Sequence, residues 1–131
     1  MDESKVTEDR VLNRRIRLRQ ALGGYRAGLD AALAAGDVDG YMIANHAFHF
    51  AIYERAGAEV LLSMAGGLWL QIGPFMRVVF GRVGTGSLPA DRHAEAMAAL
   101  KARDPDAART AIAADLSEGM DKMRVAVEAA A

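Results

Sequence analysis

The chain has 131 residues, with 16 Lys and Arg against 17 Asp and Glu, for a formal net charge of -1. That is the length of one domain, and 52% apolar with 25% charged residues excludes a disordered tail or a fibrous repeat. The absence of cysteine excludes disulfides, thiolate zinc sites and cysteine nucleophiles. The balanced charge argues against nucleic-acid contact by this chain alone, because such binding rests on a basic field. No stretch reaches the roughly 18 uninterrupted apolar residues of a membrane span. Leu61 to Phe80 comes nearest, and Gly66, Gly67, Gln71, Gly73, Pro74 and Arg77 interrupt it. The acidic start Met1-Asp2-Glu3-Ser4-Lys5 is no signal peptide, so a cytoplasmic location is expected.

No segment alternates apolar and polar residues as a half-buried strand would, and alanine is abundant. The expectation is an all-α, antiparallel helical bundle forming a single domain over 1–131. A first helix is expected from about Glu8 to Ala35, weakened at Gly23-Gly24, where two glycines cost roughly 2 kcal/mol against alanine. Gly36-Asp37 supplies a helix stop and an N-cap, and a second helix runs from about Val38 to Ala56. A third, from about Ala58 to Val83, is apolar on more than one face. It is expected to be a long central helix buried all round and kinked at Gly73-Pro74, with Trp69 and Phe75 in the core. The glycine-rich stretch from Gly81 to Pro89 reads as a loop. A fourth helix is expected from about Ala90 to Ala102. Asp104-Pro105 then restarts the chain with an N-cap and a proline at the first helical position, and the last helix continues to about Val127.

Four polar residues fall on expected inward faces. Asn45 and His49 are four apart and share one helical face with Phe48 and Ile52, while His46 points elsewhere. His93 heads the apolar stripe of Met97 and Leu100. Asp115 lies among Ala108, Ala111 and Ile112, where an unpaired carboxylate is very costly. A divalent metal would satisfy Asn45, His49, His93 and Asp115 together. The alternatives are histidines satisfied by single hydrogen bonds in the core, and an Asp115 near the rim paired with an arginine. Arg77, one turn past the kink, is either a snorkelling surface arginine or a clamp for a carboxylate ligand. Arg10, Arg14, Arg15, Arg17 and Arg19 read as a solvated helix face. No phosphate-binding loop, dinucleotide fingerprint or nucleophile elbow is present.

The order of these segments resembles a known family. Gly36-Asp37-Val38 leads into Ala44-Asn45-His46-Ala47-Phe48-His49, followed by Ala56-Gly57 and Leu61-Leu62. Downstream come the histidine-led Arg92-His93-Ala94-Glu95-Ala96-Met97-Ala98-Ala99-Leu100 and the turn Arg103-Asp104-Pro105-Asp106-Ala107-Ala108-Arg109. Together they resemble the FadR C-terminal (FCD) domain, the effector-binding half of many GntR-superfamily transcription regulators. The resemblance implies a metal held by an Asp/Asn-x-x-x-His pair and two later histidines 22 residues apart. Asn45 and His49 match the pair, His93 matches the third position, and the fourth is Asp115 instead of histidine. Two imidazoles, a carboxylate and an amide carbonyl suit a borderline divalent ion such as Zn, Ni, Mn or Fe. The leading reading adds a small carboxylate effector bound at the metal, with Arg77 as its second anchor if that side chain is a clamp, and the resemblance implies a homodimer. It places no DNA-binding domain within this chain. Two alternatives stand beside it: an enzyme with a two-histidine, one-carboxylate metal site, and a metal-free dimerisation module.

Overall fold

The computed structural model describes residues 2–83 and 91–130, with side-chain positions assigned for 2–82 and 91–129. The described residues form five helices and no strand: α1 (Glu3–Ala35), α2 (Val38–Arg55), α3 (Glu59–Val83), α4 (Arg92–Ala102) and α5 (Pro105–Ala130). The helices pack as a bundle in which α1 lies along α2 and α4 lies along α5, while α3 joins the two pairs through α2 and α5. None of these helices is long and apolar enough to cross a membrane.

Local chemistry sets the boundaries. Asp2 opens α1 by accepting from the Ser4 N–H at 3.0 Å, and Gly36 closes it in the left-handed region at φ 66, where glycine has no steric penalty. Asp37 caps α2 through the Gly40 N–H at 2.9 Å, and Asp91 caps α4 through the Ala94 N–H at 2.9 Å. Asp104 accepts from the Ala107 N–H at 3.0 Å, and Pro105 occupies the first position of α5, where its missing donor costs nothing.

Several expectations require correction. α1 starts five residues earlier than expected and runs unbroken through Gly23-Gly24, because Leu22 and Leu29, 2% and 4% exposed, anchor the helix on either side of the pair. α3 is not buried all round: Leu61, Met64, Leu68, Phe75 and Val78 are all exposed. Trp69 packs partly buried against the core, whereas Phe75 stands outside it. α3 has the extent expected for it and contains Pro74. Gly81 to Val83 extend this helix. The rest of the expected loop, and Ala90, lie outside the described residues.

Two apolar clusters make the core. Leu29, Ala32, Tyr41, Met42, Ala44 and Phe80 form one, and Leu22, Phe48, Ala96 and Ala111 form the other. Along α2, Ala44 belongs to the first and Phe48 to the second, so Asn45 and His49 stand at their junction.

Candidate metal centre

Asn45, His49 and Tyr53 follow one another at intervals of four on α2, which stacks their side chains on one face. His93 is the second residue of α4 and Asp115 lies midway along α5. Their register is set by charge-assisted hydrogen bonds beside them. Arg92 reaches Glu118 on α5 at 2.6 Å and Glu95 on its own helix at 2.9 Å, while Arg26 of α1 pairs with Asp91 at the start of α4. The neighbours of those anchors, His93 and Asp115, are thereby brought opposite the α2 stripe.

His49 is fully buried, and Asn45 and His93 are nearly so. The Nε2–H of His93 donates to Asn45 Oδ1 at 2.8 Å, and the Nε2–H of His49 donates to Asp115 Oδ2 at 2.8 Å. The same carboxylate oxygen lies 3.9 Å from His93 Nε2. Tyr53 donates its hydroxyl to His49 Nδ1 at 3.2 Å, fixing the ring from behind. Phe48 meets the His93 ring edge-to-face at 4.8 Å. The donor atoms of His49, His93 and Asp115 all lie within 4.8 Å of one another, so these three form a group that can hold a metal ion.

The fit to an ion is geometric as well as chemical. Two ligand atoms each about 2.1 Å from a metal, at tetrahedral or right angles, lie about 3.0–3.4 Å apart. The separations of 2.8 and 3.9 Å fall either side of that spacing, and the donor atoms of His49, His93 and Asp115 spread over up to 4.8 Å, so the rings would have to draw together on an ion. In the present arrangement two N–H protons occupy the space between two nitrogens and two oxygens. A cation held by His49, His93 and Asp115 would take the place of those protons, and the His49 ring, its proton moved to Nδ1, would then donate to Tyr53 as an outer partner that orients the ligand.

The electrostatics agree. Burial would raise the Asp115 carboxyl, but the hydrogen bond from His49 and the charges of His93, His49 and Arg92 outweigh it and hold the group below the usual carboxylate range. Burial lowers His93, with Asp115 opposing, so its imidazole is neutral and able to ligate at pH 7. Burial, and secondarily the Asp115 charge, push Tyr41 and Tyr53 up, which keeps both phenols protonated.

These shifts give stability a sign. His93 takes up a proton less readily folded than unfolded, so stability falls as pH drops below about 6.5. Asp115 contributes stability that is present above its unfolded value and lost as pH falls through its depressed folded value. In chelator, Tm is therefore expected to be level above about pH 6.5 and to fall below it, with a smaller slope in His93→Gln. A Tm that rises between pH 6.5 and 5 would contradict the assignment.

A cavity of about 420 Å³ opens beside the group, within the range of small-molecule pockets. Asn45, His49, His93 and Asp115 line it at one place, and Leu29, Trp69, Ile72, Phe80 and Met123 are among its apolar walls. The structure thus brings together the four residues singled out in the sequence. It does not bring Arg77 to them: that side chain is 61% exposed, pairs with Asp39 at 2.9 Å and lies outside the cavity lining. Arg26 and Lys122 are the cationic side chains on the lining. His46 stacks on Phe50 at 4.2 Å and meets Trp69 edge-on, away from the group. Tyr53 was not among the sequence candidates, although its position four residues after His49 is a signal of the same kind as Asn45-x-x-x-His49.

The sequence pattern of the FCD domain family matches residues 3–118. No curated protein and no solved structure shows a significant match to the chain.

Proposed function

Because the chain belongs to the FCD domain family, the C-terminal effector-binding domain of GntR/FadR-type regulators, we propose that it is a metal-dependent effector sensor. On this reading His49, His93 and Asp115, with the Asn45 carbonyl, hold a divalent transition metal such as Zn, Ni, Mn or Fe, and a small carboxylate occupies its open positions from the cavity. The observation that carries the reading is the convergence of four donors from three helices on one wall of a cavity. The metal supplies a positive centre that attracts an anion into a space walled largely by apolar side chains. The chain's own residues do the rest: Asn45 and Asp115 orient the imidazoles, Tyr53 fixes the His49 ring, and Phe48 packs against His93. Arg77 takes no part in this site. Arg26 and Lys122 stand on the lining beside Asp30, Asp91 and Glu118, and Arg26 is already held by Asp91 and Asp30, so the positive centre in this reading is the metal.

Binding in this cavity shifts the position of α2, α4 and α5 relative to one another only to the extent that the effector prefers one arrangement. The test is thermal denaturation of the metal-loaded chain against a panel of small carboxylates, with product analysis of the same mixtures. The expected result is stabilisation by one class of carboxylate, lost in chelator, with the compound recovered unchanged. At a concentration of 100 Kd the stabilisation is about 2.7 kcal/mol. Turnover of the compound would replace the sensor with an enzyme, and absence of metal binding would remove the site.

A further inference from the structure

Two tyrosines flank the donor group on the same stripe of α2, Tyr41 one turn before Asn45 and Tyr53 one turn after His49. The Tyr53 hydroxyl is engaged with His49 Nδ1. The Tyr41 hydroxyl makes no hydrogen bond to any of the described residues, although Tyr41 is only 5% exposed. Among those residues no fully occluded side-chain nitrogen or oxygen lacks a partner, so this hydroxyl is one that the cavity reaches, and Tyr41 lines that cavity. Phe80 holds the Tyr41 ring edge-on at 5.5 Å, and burial keeps the phenol protonated. The two carboxylates whose charges bear on it, Asp115 and Asp91, already accept from His49, from Arg26 and from the Ala94 N–H. A firmly placed donor is therefore left facing the cavity, in a protein whose occluded polar groups are otherwise satisfied.

We propose that Tyr41 selects the effector, a monocarboxylate with a flat apolar body and one uncharged oxygen: the carboxylate faces His49, His93 and Asp115, and the oxygen accepts from the Tyr41 hydroxyl. This rests on the sensor reading above and adds what the far end of the effector must be. The apolar body follows from the walls. Leu29, Trp69, Ile72, Met76 and Phe80 line the cavity of about 420 Å³, and an acid as small as acetate would leave most of that apolar surface wet. The single charge follows from the ions on the lining. A second carboxylate would meet Asp30, Asp91 and Glu118, whose cations are already committed. Arg26 is held by Asp91 and Asp30, Arg92 is held by Glu118, and Lys122 lies in the field of Glu118. Like charge placed there is repelled. The separation follows from the helix. Tyr41 precedes Asn45 by about 6 Å along the axis of α2, comparable to the reach across a benzene ring from a carboxyl carbon to a para oxygen.

The test is calorimetric titration of the whole zinc-loaded chain with benzoate, 4-hydroxybenzoate and terephthalate, which share a ring and differ only at the para position, beside acetate. The hydroxy acid is expected to bind tightest, and terephthalate more weakly than benzoate. Tyr41→Phe keeps the ring against Phe80 and removes only the hydroxyl. It is expected to weaken 4-hydroxybenzoate about 3–10-fold, the worth of one hydrogen bond, while benzoate affinity and the Tm of the unliganded chain stay unchanged. An equal loss for benzoate, a lowered Tm without any acid, undiminished binding of 4-hydroxybenzoate by Tyr41→Phe, tightest binding of terephthalate, or no binding of any ring acid would each overturn the proposal. The two readings fail separately. Acetate bound at the metal with no gain from a ring leaves the sensor standing and removes the role of Tyr41. A Tyr41-dependent preference for 4-hydroxybenzoate that survives in chelator leaves that role standing and removes the metal.

Discussion

Replacing His93 with alanine is expected to take the purified protein from near-stoichiometric transition metal to a trace, as measured by elemental analysis beside the parent. The ring contributes one of the three strong donors. Loss of even an outer hydrogen-bond partner of a ligand costs about 10–100-fold in metal affinity, so loss of the ligand itself costs more. His49→Ala and Asp115→Ala are expected to act in the same direction. Asn45→Ala is expected to have a smaller effect, because a neutral amide carbonyl is the weakest donor in the group. The metal-free fold has its own response to His93→Ala. Asn45 Oδ1 loses the N–H it accepts from at 2.8 Å in a buried position, which costs about 1–3 kcal/mol. His93→Ala is thus expected to lower Tm in chelator as well. Full metal occupancy in His93→Ala would dismiss the site as built here.

Asp115→His provides the complementary measurement, since a third imidazole at that position retains a donor while removing the charge. Metal is expected to remain, and stability in acid to lose the contribution that the depressed Asp115 carboxyl makes. Retention in Asp115→His together with loss in Asp115→Ala would separate the need for a donor from the need for a negative charge.

The parts of this architecture that were legible in the sequence are those written in short-range spacing. Asn45 and His49 share a face because the α-helix repeats every 3.6 residues, and that holds whatever packs against it. Asp37 and Asp104 cap helices because a short carboxylate reaches a free N–H three residues ahead, whereas Asp91, which does the same for α4, falls inside the expected bounds of that helix. What spacing does not encode is which neighbour covers a face. α3 reads as buried all round because its composition is apolar, yet composition does not distinguish burial within one chain from burial between two. Phe75 and Trp69 differ by six residues, equivalent to about 120° around a helix after full turns, and only the positions of α2 and α5 decide which lies inside. Arg77 fails for the same reason: its place one turn past Pro74 says nothing about Asp39 on α2, its actual partner. Gly23-Gly24 shows the reverse, a local weakness overridden by the burial of Leu22 and Leu29.

Phe48→Ala is expected to cause the largest loss of stability of any single change in this core, and to expose how far fold and site depend on each other. Phe48 is fully buried; of its cluster mates, Ala96 and Ala111 are too small to refill the space it leaves, and Leu22, Ile52, Met97 and Leu100 around it close only part of it. The cavity therefore persists, placing the cost in the 3–5 kcal/mol range of large aromatic deletions. For a domain whose total stability is about 5–15 kcal/mol, that is a third or more. Phe48→Leu, which refills most of the volume, is expected to cost much less. The same deletion removes the edge-to-face support of the His93 ring at 4.8 Å, so metal affinity should fall without any ligand being touched. Metal ties α2, α4 and α5 together through His49, His93 and Asp115, the same helices that Phe48 binds by packing. Saturating metal at about 1,000 Kd adds about 4 kcal/mol to the folded state, enough to offset most of the deletion. Denaturation of Phe48→Ala with and without metal should show this recovery, and Phe48→Ala combined with His93→Ala should show none. Equal recovery in both would mean that the ion binds elsewhere.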